Sequence, residues 1–164
     1  KVVEVTPYRT ENGYSDSRRP DEVIFSEKLE DDLKRRDFTV NAIAYHVSQN
    51  ELVDLYKGQK DMADKALSAV GNADERFDED ALRMLRAIRL GAELGFAIEQ
   101  ETFEAIARNV DNLKNISKER IRDEFVRIVM SEKPMEALFH MKHLGMLSYV
   151  VPDLERSLDV EQNR

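Results

Sequence analysis

Between Glu79 and Phe96 the apolar positions fall with a helical period: Ala81, Met84, Leu85, Ile88 and Ala92 gather on one face. Asp80, Arg83, Arg86 and Arg89 follow at steps of three. At about 100° per residue each such step turns the next side chain back by about 60°, so the four form a slowly winding polar stripe on the opposite face. One side packs, and the other is free to read something.

Downstream the same spacing predicts helices over Glu99–Asn109, Ser117–Met130 with Ser117 as N-cap, Pro134–Leu144 and Met146–Val151. Phe103, Ile106, Ile121, Phe125, Ile128, Leu138 and Met141 are their core positions. Gly95 is expected to close the central helix in the left-handed conformation, with Phe96 folding back onto the last turn. Upstream the pattern is mixed. Lys1–Tyr8 has the β-branched content of a strand, and Thr10–Pro20 reads as a polar surface loop punctuated by Gly13 and Pro20. A helix is predicted to begin around Ser26–Leu29, favoured by Glu27, Glu30, Asp31 and Asp32. After Arg35–Asp37 the segment FTVNAIAYHV is predicted to be helical. Glu51–Leu55 then reads as a strand, followed by a turn at Gly58, a helix, and an amphipathic connector over Asp61–Val70 that offers Ala66, Leu67 and Val70 for packing. Gly71–Ala73 is a break before the central helix.

Composition narrows the class. With 164 residues, 41% hydrophobic and 35% charged, the chain can bury a modest core in one or two small domains. No apolar run approaches the roughly 18 residues of a membrane span, and no signal-peptide pattern opens the sequence. The absence of cysteine excludes a disulfide framework and a thiolate metal site, which fits a cytoplasmic protein. A net charge of −8 argues against indiscriminate nucleic-acid binding over the whole surface and leaves room for a localised basic groove. His46, His140 and His143 form no metal-ligand constellation.

Asp80 and Arg83 are the sharpest part of the stripe. A carboxylate acceptor beside a planar fork of donors complements an amino group next to a bare ring nitrogen. Cytosine and adenine carry that edge, whereas uracil and guanine carry a carbonyl beside a ring N–H. Buried groups left unpaired against the wrong base make such a site selective, by factors that can reach about 10⁴. A surface helix with solvated arginines and a capping-region Asp fits the same period. Arg36, Asp37 and Asn41 by themselves suit an Arg–Asp pair fixing a turn beside an Asn cap. Asp54 reads more readily as a turn or cap residue than as a ligand.

Taken in order, RRDFTVNA within Leu29–Tyr45, LVDLYKGQKDM, ERFDEDALRMLRAIRLGAELGF and ISKERIRDEF resemble the class II CCA-adding enzyme and bacterial poly(A) polymerase family, the tRNA nucleotidyltransferases. The resemblance implies a mainly α chain: residues 1–70 as the distal α/β part of a nucleotidyltransferase head, 71–131 as a helical neck that selects nucleotide and binds RNA, and 132–164 as the start of a helical body. It implies nucleotide contacts from Arg36, Asp37, Asn41, Asp80, Arg83, Arg86 and Arg89, with Glu79 orienting an arginine, and RNA contacts from Lys118, Arg120 and Arg122. Glu4 falls near where metal-bearing carboxylates lie, Arg9 at a strand end, and Arg18 and Arg19 near the active-site mouth.

The family's G-G-x-x-R-D loop and D-x-D pair would precede Lys1, so both ends look like cuts and the stretch alone is expected to be inert. Catalytic residues and the site for Mg²⁺ are expected outside it. The implied reaction is addition of CMP and AMP from CTP and ATP to a tRNA 3′ end, with A-only or poly(A) synthesis as variants. A non-catalytic helical RNA-binding or dimerising module is the alternative from another class.

Overall fold

Two helices, not one, carry the stretch from Ala73 to Leu94. The computed structural model describes residues 2–13 and 21–158. In chain order it contains β1 (Arg9–Asn12), β2 (Glu22–Phe25), α1 (Leu29–Lys34), a 3₁₀ turn (Thr39–Asn41), β3 (Ile43–His46), β4 (Glu51–Asp54), α2 (Gly58–Asp64) and β5 (Ala66–Leu67). There follow α3 (Ala73–Glu79), α4 (Leu82–Leu94), β6 (Ala97–Ile98), α5 (Gln100–Asn109), a 3₁₀ stretch (Val110–Asn115), α6 (Lys118–Val129), α7 (Pro134–His143), α8 (Leu147–Val150) and α9 (Pro152–Leu158). The mainly helical architecture, with short strands confined to its first two thirds, is the one expected.

The predicted single helix breaks at Asp80, whose backbone is extended at φ −149° and ψ 101°. Its carboxylate accepts the Leu82 amide at 3.1 Å, satisfying one of the donors that a new helix leaves open. Beyond the break α4 buries Met84, Leu85, Ile88 and Ala92 as its spacing predicts, and Leu82, Ala87 and Arg89 as well. It packs against α3, α6 and α7, while α3 packs against α5. One hydrophobic cluster runs from Phe38 and Leu67 through Phe77, Leu85 and Ile106 to Ile128, Met141 and Leu147. It therefore joins residues from all three expected segments.

The early part of the chain departs further from its pattern. FTVNAIAYHV is not a helix; it forms the 3₁₀ turn and then β3, which pairs antiparallel with β4 in the register Ile43↔Asp54 to His46↔Glu51. Its β-branched residues lose side-chain freedom in a helix, and Asn50 takes φ 53° to reverse the chain, as Asn does more readily than most residues. The strand expected over Lys1–Tyr8 lies instead at Arg9–Asn12, because β2 offers its ladder there; residues 2–8 form no strand. Extended propensity without a partner makes no sheet.

Asn72 caps α3 through the Glu75 amide and Glu99 caps α5 through the amides of Glu101 and Thr102, whereas Ser117, the N-cap expected, precedes α6 without a side-chain bond to it. Gly95 ends α4 at φ 65°, with the Phe96 amide bonded to the Gly91 carbonyl. Asp54 is a cap, accepting from the amides of Gly58 and Gln59 at 2.7 and 2.9 Å. Gly58 matters for a reason other than turning: a Cβ there would stand 2.2 Å from the Thr39 carbonyl oxygen, so the start of α2 lies directly on the 3₁₀ turn.

Candidate functional site

The turn after α1 and the start of α4 face each other across an open cleft of about 470 Å³. Arg35, Arg36, Asp37 and Asn41 line one side, Asp80, Leu82, Arg83 and Arg86 the other, and Arg120 of α6 completes it. Five arginines against two aspartates make this a basic pocket on a chain of net charge −8. The localised groove that the overall charge left possible is therefore present.

Asp32 sets the turn. One of its oxygens accepts from Arg35 at 2.6 and 3.0 Å, the other from Arg36 at 2.7 and 3.3 Å. Burial alone would raise the Asp32 carboxyl, but the two guanidiniums hold it below its ordinary value. Arg36 keeps a half-exposed side chain at the cleft mouth. Asp37 is buried, and both of its oxygens are committed inside the protein. One accepts from the Phe38 amide at 2.9 Å and the Asn41 amide group at 3.2 Å; the other accepts the Arg86 fork at 2.8 and 2.5 Å. A carboxylate has about four acceptor sites, so a ribose hydroxyl would have to displace one of these partners. Burial pushes the Asp37 carboxyl up, and Arg86, Asn41 and the Phe38 amide together bring it below its usual range. Burial lowers the Arg86 guanidinium while Asp37, Glu124 and Asp80 raise it, with a net upward shift.

Asp80 and Arg83 open on the same cleft, although they do not share a helix. Each Asp80 oxygen has one partner: the Leu82 amide at 3.1 Å and Arg120 at 2.6 Å. Each oxygen thus retains an acceptor site. The two terminal nitrogens of Arg83 donate to Glu79 at 2.6 Å, to the Arg76 carbonyl at 3.3 Å and to the Arg35 carbonyl at 3.2 Å. Its Nε–H makes no bond to the described residues. Glu79, expected in the nucleotide site, does not line the cleft; its carboxylate pairs with Arg83 from behind.

Two groups of expected residues are divided. Arg89 does not reach the cleft: it is 3% exposed and donates to Glu124 at 2.7 Å and Glu93 at 2.6 Å. Two steps of about −60° from Arg83 carry it round to the face that α6 covers. Of the trio on α6, Arg120 faces the cleft, Lys118 bonds the Tyr149 carbonyl at 3.3 Å, and Arg122 pairs with its neighbour Asp123 in solvent. Glu4 is exposed on unpaired chain, and Arg9 pairs with Glu11 at 2.8 Å. Arg18 and Arg19 lie outside the described residues. His140 and His143 both pack on the Phe103 ring. Among the described residues no three His, Cys, Asp or Glu side chains group to hold a metal ion.

Asp32, Arg35 and Arg76 were missed as builders of the site. Spacings of three and four from Asp32 to Arg35 and Arg36 were the available signal; nothing in the sequence points Arg76 at Glu79 and the end of α1 together.

Residues 1–68 match the family model described as the poly A polymerase head domain, and residues 95–158 match that of the probable RNA and SrmB-binding site of polymerase A. The chain is 50% identical over 147 residues to a CCA-adding enzyme of Lactiplantibacillus plantarum, covering 90% of this chain and 36% of that protein. It is 48% identical over 134 residues to the CCA-adding enzyme of Lactobacillus delbrueckii subsp. bulgaricus, covering 82% and 34%. It thus spans about a third of the length of these curated relatives. Among solved structures it resembles the Bacillus stearothermophilus CCA-adding enzyme in complex with CTP, with a TM-score of 0.81 and 36% identity over 94% of this chain and 37% of that one. It also resembles the Thermotoga maritima CCA-adding enzyme complexed with tRNA, with a TM-score of 0.70 and 27% identity over 76% of this chain and 31% of that one.

Proposed function

Because the chain belongs to the class II CCA-adding enzyme and bacterial poly(A) polymerase family, we propose that it is the distal head, neck and first part of the body of a template-independent RNA nucleotidyltransferase. The protein carrying it adds CMP and AMP from CTP and ATP to the 3′ end of tRNA. Residues 1–70 belong to the head, 71–131 to the neck and 132–164 to the body. The observation that carries this reading is the convergence of Asp80, Arg83, Arg86, Arg36 and Arg120 on one basic cleft.

In this cleft Asp80 accepts from the exocyclic amine of cytosine or adenine through its free acceptor sites, and Arg83 donates to the bare ring nitrogen. Uracil and guanine would bring a carbonyl to the carboxylate and an N–H to the guanidinium, leaving both unpaired. Arg36 at the mouth and Arg86 on the wall supply charge for the triphosphate. Asp37 and Asn41 serve that wall by holding it in place. Arg120 holds Asp80 as well as bordering the RNA path, with Lys118 and Arg122 further along α6. Arg89 contributes from the interior and touches no ligand.

The reading implies Mg²⁺ as the ion of the reaction, and none of the roles assigned to the cleft residues depends on holding it. None of the described helices is long and apolar enough to cross a membrane, and the cytoplasm is the compartment proposed. The reading accommodates a homodimer as well as a single chain.

The test is nucleotide selection by the full-length protein on a tRNA lacking its terminus. Arg83→Ala is expected to reduce the preference for CTP over UTP by about 10² or more. An unchanged CTP-over-UTP ratio would overturn the assignment.

A further inference from the structure

Arg76 is nine-tenths buried at the end of α3 and is joined to Arg83 in two ways. Its guanidinium holds one oxygen of Glu79 at 2.5 Å, and the other Glu79 oxygen holds Arg83 at 2.6 Å. Its own carbonyl also accepts from Arg83 at 3.3 Å. With a guanidinium on each oxygen, the Glu79 carboxylate cannot rotate without breaking one of the two pairs.

The other end of the frame is the close of α1. Arg76 donates to the Lys34 carbonyl at 3.0 Å and Arg83 donates to the next carbonyl, Arg35, at 3.2 Å. Two consecutive carbonyls of the turn that carries Arg36 are thereby each held by one arginine of the neck. Arg76 reaches this arrangement at a cost, since its buried Nε–H has no partner. An apolar side chain would fill the same space without that cost, and it could not span the Lys34 carbonyl and Glu79.

We propose that Arg76 is a positioning residue for base selection, which fixes Arg83 through Glu79 and registers it against the turn that carries Arg36. The inference rests on the base-reading role assigned to Arg83 above. Arg76 touches no nucleotide, and its effect is on which base is accepted, not on how tightly any triphosphate is held.

The experiment measures kcat/KM for CTP, ATP, UTP and GTP with the full-length protein and a tRNA lacking its 3′ terminus, for Arg76→Ala, Arg83→Ala and the double variant. Arg76→Ala is expected to reduce the CTP-over-UTP ratio by about tenfold, the scale of one lost charge-assisted hydrogen bond. The double variant is expected to match Arg83→Ala, because Arg76 acts through Arg83. A uniform fall for all four nucleotides, a lower melting temperature with the ratio unchanged, or additive losses in the double variant would each overturn the inference. If Arg76→Ala does not fold, Arg76→Lys and Glu79→Gln replace it, with the same ratio as readout. A fall in the CTP-over-UTP ratio with Arg83→Ala but not with Arg76→Ala refutes this inference alone; no fall with Arg83→Ala refutes the base-reading assignment and this inference with it.

Discussion

Asp37 shows how a residue can build the wall of a candidate site without being free to bind. Its oxygens hold Arg86, Asn41 and the Phe38 amide, and its carboxyl is held below its ordinary value despite burial. A carboxylate with a depressed folded pKa contributes stability that is fully present above its unfolded value near about 4 and is lost as pH falls through the folded value. Asp37→Asn is therefore expected to lower stability by about 1–3 kcal/mol at pH 7, discounted because Arg86 is partly exposed. The gap from the parent protein should close in acid. Urea midpoints measured from pH 7 to pH 3 check this, and a gap that stays constant with pH would refute it. The same residue illustrates what spacing can convey: Arg36 and Asp37 are adjacent in sequence, yet Asp37 pairs with Arg86 and Arg36 with Asp32.

Among the elements, the break between α3 and α4 and the seat of α2 are the points that place the cleft walls. Asp80 both accepts the first free amide of α4 and anchors Arg120. Asp80→Ala should destabilise the fold by about 1–2 kcal/mol, as loss of a cap does, and should abolish base preference together with it. Thermal melts and nucleotide competition on one preparation separate the two effects. The seat of α2 allows a sharper comparison. Gly58→Ala would drive a Cβ to 2.2 Å from the Thr39 carbonyl, which is backbone and cannot swing away, so about 1–3 kcal/mol of strain is expected. Gly95→Ala meets open space and costs only its left-handed φ, about 1 kcal/mol. Equal melting temperatures for the two variants would show that the contact between α2 and the 3₁₀ turn is not close.

Across the whole molecule, a buried ionic link ties α4 to α6. Arg89 is enclosed between Glu93 and Glu124, and Glu124 is itself buried. Removing Glu124 leaves the buried Arg89 with Glu93 as its one carboxylate partner among the described residues, so Glu124→Ala should cost about 3 kcal/mol, the low end for breaking a buried pair. Chemical denaturation is the check, and replacing both Arg89 and Glu124 by apolar residues should recover much of the loss. Because α6 also carries Arg120 to the cleft, the link fixes the distance between the helix that carries Arg83 and the helix that steadies Asp80.

Read alone, the sequence determined the helices with a clean three-and-four period, the close of α4 at Gly95, the apolar face of α4, and the family through motifs in order. These depend on neighbours within about one turn, where local geometry decides contacts. Tertiary structure alone decided that the chain breaks at Asp80, that FTVNAIAYHV yields a strand, that Arg89 turns inward while Arg120 turns to the cleft, and that Arg76 joins α1 to Arg83. Each of these is settled by a partner 35 or more residues away or by a strand available for pairing. A period in one segment states which residues share a face; which element covers that face is decided when the other segments pack against it.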